Sequence, residues 1–159
     1  MTVSTVQPSL RPVTEADESF LVALYGSTRA DLALLPLDPE QHDVLVRMQY
    51  RAQDQHYREQ HPGASFEVVE VDGAPVGRLY VDRTDRDLRV VDISLLPEVR
   101  GRGMGTALLR RVQDEAAASG RSVSLHVASD NPAAALYARL GFRPVADLGA
   151  YRRLEWSAP

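Results

Sequence analysis

Cysteine is absent from the 159-residue chain. That excludes disulfide frameworks, thiolate metal sites and any mechanism that passes an acyl group through a cysteinyl enzyme. Lysine is absent too, because all 18 basic side chains are arginine. A phosphate-binding loop of the form G-x-x-x-x-G-K-[ST], whose lysine reaches the terminal phosphates, therefore cannot be present. No apolar run approaches the roughly 18 residues of a membrane span, and Met1 to Leu10 lacks an apolar core of signal-peptide length. The chain reads as a soluble cytoplasmic protein with no membrane partner. Surplus positive charge is also missing, with a net charge of -4 and a pI of about 5.5. This argues against a nucleic-acid partner and leaves room for a cationic one. Arginine-only basic usage together with abundant alanine reads as a GC-rich bacterial codon habit.

With 44% hydrophobic residues, the chain can bury one good core, and a single domain over 1–159 is expected, with 1–9 as a polar arm. Leu10 to Val13 reads as a first strand. Thr14, with Asp17 three residues on and Phe20, Leu21 and Leu24 following, suggests a capped helix. Asp31 to Pro39 reads as a proline-punctuated connection, and Pro39 to about Gln60 as a second helix ending at His61-Pro62-Gly63. Phe66 to Val71 and Pro75 to Asp82 alternate around Asp72-Gly73, a hairpin signal. Leu88 to Leu96 is a third β-rich run. A helix then carries Leu108, Leu109, Val112 and Ala116 on one face before Gly120. A strand over Arg121 to Ala128, a helix over Ala133 to Leu140, and strands over Phe142 to Ala146 and Ala150 to Trp156 close the chain. The meander in the middle disfavours a purely parallel sheet.

The strand ending at Leu95-Leu96 opens into Pro97-Glu98-Val99-Arg100-Gly101-Arg102-Gly103-Met104-Gly105-Thr106 and then a helix. Unpaired N–H groups at a helix start, the helix dipole and nearby glycines together make an anion cradle. The dinucleotide fingerprint G-x-G-x-x-G fails, because Thr106 or Leu108 stands where its third glycine is required. What remains is Arg100-x-x-Gly103-x-Gly105. About thirty residues downstream, Asn131, Ala134, Tyr137 and the closing Gly141-Phe142 lie on a helix that Asp130 or Asn131 can cap, with Pro132 in its first turn.

Together these two segments resemble the acetyl-CoA pyrophosphate loop and the following conserved helix of the GNAT superfamily of N-acetyltransferases. The element order resembles that fold from Leu10 to Trp156. The resemblance implies an α/β (α+β) architecture, a mixed and mostly antiparallel sheet of about seven strands flanked by about four helices. It implies acetyl-CoA as cosubstrate with no metal, held by Leu95, Leu96, Arg100, Gly101, Arg102, Gly103, Met104, Gly105, Thr106 and Asn131. The acceptor would be a primary amine of a small molecule or protein, attacking directly in a ternary complex. GNAT proteins often dimerise through their C-terminal strands, so a homodimer is a further expectation. A CoA-binding sensor or assembly module without turnover is the competing reading.

The resemblance places the Tyr137 hydroxyl near the thioester sulfur, as general acid for the departing thiolate. A backbone N–H near Leu95 or Leu96 would polarise the thioester carbonyl. Asp92 is the acidic residue inside the strand before the loop, and three roles stay open for it: direct or water-mediated base, ammonium anchor, or structural acceptor. His126 on the next strand is a further candidate base. Gln53, His56 and Tyr57, on one helix face near His61, are either an acceptor-selecting cluster or a solvated face.

Overall fold

A computed structural model describes residues 7–159, so the polar arm expected over 1–9 falls mostly outside the described residues. Ser9, placed in that arm by sequence, already belongs to the first strand. The elements are β1 (Ser9–Pro12), α1 (Glu18–Ser27), α2 (Ala30–Ala33), α3 (Pro39–Gln60), β2 (Ser65–Val71), β3 (Ala74–Arg83), β4 (Asp87–Leu95), α4 (Met104–Ser119), β5 (Ser122–Ala128), α5 (Ala134–Arg139), β6 (Arg143–Asp147) and β7 (Tyr151–Trp156). Short 3-10 turns at Glu15–Asp17 and Pro97–Val99 lead into α1 and toward α4. The strands form one seven-stranded sheet in the order β1-β2-β3-β4-β5-β7-β6. Every pairing in it is antiparallel except β4 with β5.

Local chemistry accounts for most boundaries. Asp38 accepts from the Gln41 N–H at 2.8 Å while the Gln41 side chain accepts from Asp38 N–H at 3.1 Å, and Pro39 fits the first turn of α3. Asp72 and Gly73 both take positive φ, 51° and 78°, as a two-residue turn between right-twisted strands requires. The segment from Asp31 to Pro39 is less irregular than its prolines suggest: Ala30–Ala33 closes one helical turn that buries Leu32. Alanine and leucine favour helix there, and Pro36 acts only after that turn is complete. Among the described residues the α-helices therefore number five, one more than the sequence suggested.

The sheet has a different layer on each face. Leu108, Leu109, Val112 and Ala116 of α4 pack on Leu88, Val90, Val123 and Leu125. On the opposite face Leu21, Leu24 and Tyr25 of α1 gather with Tyr50 of α3. Each such fully buried aliphatic side chain contributes roughly 1.5–3 kcal/mol. Between these layers β4 carries a bulge. Its register with β3 moves from Val81 opposite Val90 to Tyr80 opposite Asp92, leaving Val91 as the extra residue. The parallel ladder with β5 runs only from Asp87 to Val90, so β4 and β5 part beyond the bulge.

The start of α1 is tied to the sheet edge by charge. Asp17 receives the Thr14 N–H at 2.7 Å and two Arg11 bonds at 2.7 and 2.9 Å, and Arg11 also reaches Glu70 at 3.1 Å. The Arg11 guanidinium, outweighing the effect of burial, lowers the Asp17 carboxyl from 3.8 to about 2. The folded state therefore gains stability wherever the unfolded carboxyl is ionised and loses it as pH falls toward 2. Asp17→Asn should lower the unfolding free energy by about 2 kcal/mol at pH 7. In urea titrations at stepped pH, that deficit should close between about pH 4 and pH 2. A pH-independent deficit would refute the linkage.

Candidate active site

Where β4 and β5 part, a cleft of about 590 Å³ opens between the start of α4 and α5. Its floor is apolar, including Ile93, Leu109 and Leu136, and its rim is the glycine loop. Gly101 and Gly103 hold φ of 76° and 78°, in the left-handed region, and turn the chain into α4 with Gly103 as the residue before the first turn. Gly105 lies inside that first turn. A Cβ there would meet only Leu136 Cδ2 at 3.8 Å and Leu95 Cδ1 at 3.9 Å, ordinary contacts that the protein accommodates. The N–H groups of the first α4 turn have no intrahelical acceptor and face the cleft mouth. Backbone donors, a helix dipole and the Arg100 side chain thus converge on one spot.

Of the residues picked out by sequence, Leu95, Arg100, Gly101, Gly103, Met104, Gly105, Thr106 and Tyr137 line this cleft. Leu96, Arg102, Asn131 and Asp92 do not. Leu96 turns toward the α1 and α3 cluster, and its N–H donates to Val76 O at 2.8 Å. Backbone groups alternate in direction along a strand, so the Leu95 N–H faces the side that β5 has left. Arg100 Nε donates to the Leu95 carbonyl at 3.0 Å, tying the loop to the strand end. Asn131 uses its side-chain oxygen locally, accepting the Ala133 N–H at 2.8 Å to cap the turn before α5. A second hollow of about 690 Å³, between the loop preceding α1 and α3, contains none of the candidate residues.

Tyr137 is 8% exposed, with its ring edge-on to Phe142 at 5.9 Å. Burial, and secondarily the Asp92 charge, raises its hydroxyl above the usual phenol range. It is therefore a protonated donor at neutral pH. Asp92 lies across the strand, on the face that α3 covers. Its Oδ1 accepts from Ser94 Oγ at 2.6 Å and Arg78 Nε at 3.2 Å, and its Oδ2 from Tyr57 Oη at 2.8 Å and Arg78 Nη2 at 2.9 Å. Arg78 is 2% exposed and also donates to Gln53 Oε1 at 2.8 Å. Its guanidinium lies 5.0 Å from the Tyr80 ring centroid. Burial and the Asp92 charge push the Tyr57 hydroxyl far above its ordinary range, so Tyr57 acts as a donor.

The Gln53, His56 and Tyr57 cluster is therefore split. Gln53 and Tyr57 turn inward onto the sheet, while His56 stays exposed. His61 is held against Asp82 at 2.7 Å. His126 is exposed, and its Nδ1 receives Arg89 Nη2 at 2.7 Å. Arg78 escaped the sequence reading, because a lone arginine between Gly77 and Leu79 looks like a surface residue. The available signal was Asp92 itself: an acid in an apolar strand needs a buried countercharge, and an arginine on the neighbouring antiparallel strand can supply it. Among the described residues no trio of histidine and carboxylate side chains is placed to hold a metal ion, and no helix is long and apolar enough to cross a membrane.

Comparisons with known proteins agree with this geometry. The PaiA N-acetyltransferase of Thermoplasma acidophilum, solved in complex with coenzyme A, matches over 96% of this chain and 99% of its own, at 18% identity and a TM-score of 0.70. An acetyltransferase from Thermus thermophilus matches over 97% and 99%, at 22% identity and a TM-score of 0.71. A spermidine N-acetyltransferase from Vibrio cholerae, solved with CoA and spermine, matches over 95% of each chain, at 21% identity and a TM-score of 0.66. At these identities the likeness establishes the fold. The family model described as an acetyltransferase (GNAT) domain matches residues 62–144, just over half of the chain and the stretch that builds β4, the glycine loop, α4 and α5. The chain belongs to the GNAT acetyltransferase family.

Proposed function

We propose that the protein transfers the acetyl group of acetyl-CoA to a primary amine by direct attack in a ternary complex. The observation that carries this reading is the meeting of three features in one cleft: the strand edge vacated by β5, the glycine-lined start of α4, and Tyr137. Acetyl-CoA would lay its pyrophosphate on the N–H groups at Met104, Gly105 and Thr106, beside Arg100. Its pantetheine arm would follow the free edge of β4 past Ile93 and Leu95. The thioester carbonyl would then accept from the Leu95 N–H, a fixed backbone donor in a partly enclosed site. Tyr137 would give a proton to the leaving sulfur.

Asp92 takes a supporting role in this reading. With Arg78, Tyr57 and Ser94 around it, the carboxylate fixes β4 beneath α3. The engagement of Asp92 is also the observation that favours the competing reading, a CoA-binding module without turnover. The two readings part on CoA release from acetyl-CoA across a panel of amines, in wild type and Tyr137→Phe. As an acyltransferase the wild type turns over, and Tyr137→Phe loses about a hundredfold in kcat with CoA affinity within about threefold. Tight binding with no turnover on a broad panel would favour the module.

The cradle has its own test. Gly103 needs positive φ, so substitution there confuses strain with lost binding. Gly105 does not, and Gly105→Val places two methyl groups at the cleft mouth while raising helix propensity. Calorimetry should show CoA affinity reduced at least about tenfold, with the unfolding midpoint moved by no more than about 3 °C. Unchanged affinity would remove the phosphate-cradle assignment.

A further inference from the structure

Gly77 is buried within β3, and its φ lies outside the left-handed region, so the backbone there would suit any residue. What glycine supplies at this position is space. It directly follows a bulge, since the pairing with β2 moves from Val69 opposite Gly77 to Glu70 opposite Pro75 and leaves Val76 as the extra residue. On its other side Gly77 stands opposite Leu95 of β4. Because the Leu96 N–H turns to Val76 O at 2.8 Å, the Leu95 N–H and carbonyl turn away from β3. Gly77 and Leu95 are therefore a pair without mutual hydrogen bonds, the kind at which antiparallel strands come closest.

The gap is already full. A Cβ on Gly77 would lie 2.4 Å from Ser94 O, 2.7 Å from Leu95 Cδ2 and 3.3 Å from Leu95 Cα. The leucine tip could rotate aside. The carbonyl oxygen and the Cα could not, so β4 itself would have to withdraw from β3. Close C–H···O contacts between strands run at about 3.3–3.6 Å, which makes that retreat on the order of 1 Å.

Leu95 is bounded on the cleft side as well. Its Cδ1 lies 3.9 Å from the position a Cβ would take on Gly105, in the first turn of α4, and its carbonyl accepts from Arg100 Nε at 3.0 Å. The end of β4 is thus held between a glycine behind it and the phosphate loop in front of it. A retreat from β3 would carry the Leu95 N–H into the cleft edge that β5 has left.

We propose that Gly77 is the positioning residue of the acetyl site: by carrying no side chain it lets β4 settle against β3, and so sets where the Leu95 N–H stands relative to the thioester carbonyl. The inference rests on the acetyltransferase reading and on the Leu95 N–H as the donor to that carbonyl. A fixed donor acts at about 2.7–3.1 Å from the oxygen that gains charge, and a misplacement on the order of 1 Å costs about a hundredfold in rate. The pyrophosphate is held at the start of α4 rather than on β3, so binding and chemistry should separate when Gly77 is replaced.

The wild-type protein is first tested for CoA binding by calorimetry, and for CoA release from acetyl-CoA with glycinamide, propylamine and spermidine. Gly77→Ala is then compared with it on the fastest of these amines. Its kcat should fall about thirty- to a hundredfold, while its Kd for CoA, which has no acetyl carbonyl, stays within about fivefold. A loosened sheet would reduce rate and affinity together, and that outcome would overturn the proposal. So would a folded Gly77→Ala whose kcat stays within about threefold of wild type. Adding Leu95→Ala removes the side-chain contact but leaves the clash with Ser94 O, so the double variant should lie as far below Leu95→Ala alone as Gly77→Ala lies below wild type. Equal rates for the double variant and Leu95→Ala would trace the defect to side-chain crowding and overturn the backbone role. If neither Gly77→Ala nor the double variant folds, Gly77 is a folding requirement and the positioning role falls. Failure of the wild type to bind CoA, or binding with none of the three amines acetylated, would instead condemn the acetyltransferase premise and the inference with it.

Discussion

The ion pair between Arg78 and Asp92 locks the sheet directly behind the cleft. Arg78 comes from β3, Asp92 from β4 beyond its bulge, and α3 closes over them through Gln53 and Tyr57. Removing a guanidinium and a carboxylate from water carries a penalty of several kcal/mol per ion, offset only if the remaining donors and acceptors are also satisfied. Here four bonds on the carboxylate, with Gln53 Oε1 and the Tyr80 ring beside the guanidinium, provide part of that compensation, while Arg78 Nη1 is buried without a partner. Loss of one partner would strand the other charge, at a cost on the order of 3–5 kcal/mol. The pair therefore fixes α3 over the bulged part of β4 more strictly than apolar packing alone would.

The bulge at Val91 puts this pair and the cleft on opposite faces of one strand. Up to Val90, β4 is an ordinary member of the sheet, with Leu88 and Val90 under α4 and a parallel ladder to β5. After the extra residue, Asp92 stands opposite Tyr80 on the α3 face, while Ile93 and Leu95 face α4 and line the cleft. Divergence from β5 leaves their main-chain groups without a strand partner. One inserted residue thus separates a side-chain lock on one face from the cleft-lining residues on the other.

The sequence made the donor side legible because that side is built from local backbone chemistry. Gly101 and Gly103 mark left-handed turns, Gly105 keeps the helix start clear, and Pro132 and Asn131 open the α5 segment. Each of these signals lies within a few residues of the feature it specifies. The strands and α3 were equally readable, since alternation, Asp72-Gly73 and the Asp38 capping box are local too. The α2 turn was missed because proline at position 36 outweighed the helix-forming residues before it. The surroundings of Asp92 were out of reach for a different reason: its partners lie 14 and 35 residues away, on elements whose register must be known first. Strand alternation alone could not place Asp92 on a face, because the bulge resets the alternation just before it.

A phosphate-bearing donor can be held by main-chain N–H groups, which nearly any sequence supplies once glycines shape the turn. The α3 face of β4 is held instead by side chains from α3, β3 and β4, elements far apart in sequence. The Asp92 carboxylate spends its lone pairs on Arg78, Tyr57 and Ser94. The same bonds that tie Asp92 to β3 and α3 make it a rigid anchor, so the α3 face of β4 is fixed by side-chain pairing while its opposite face beyond Val90 is left to the cleft.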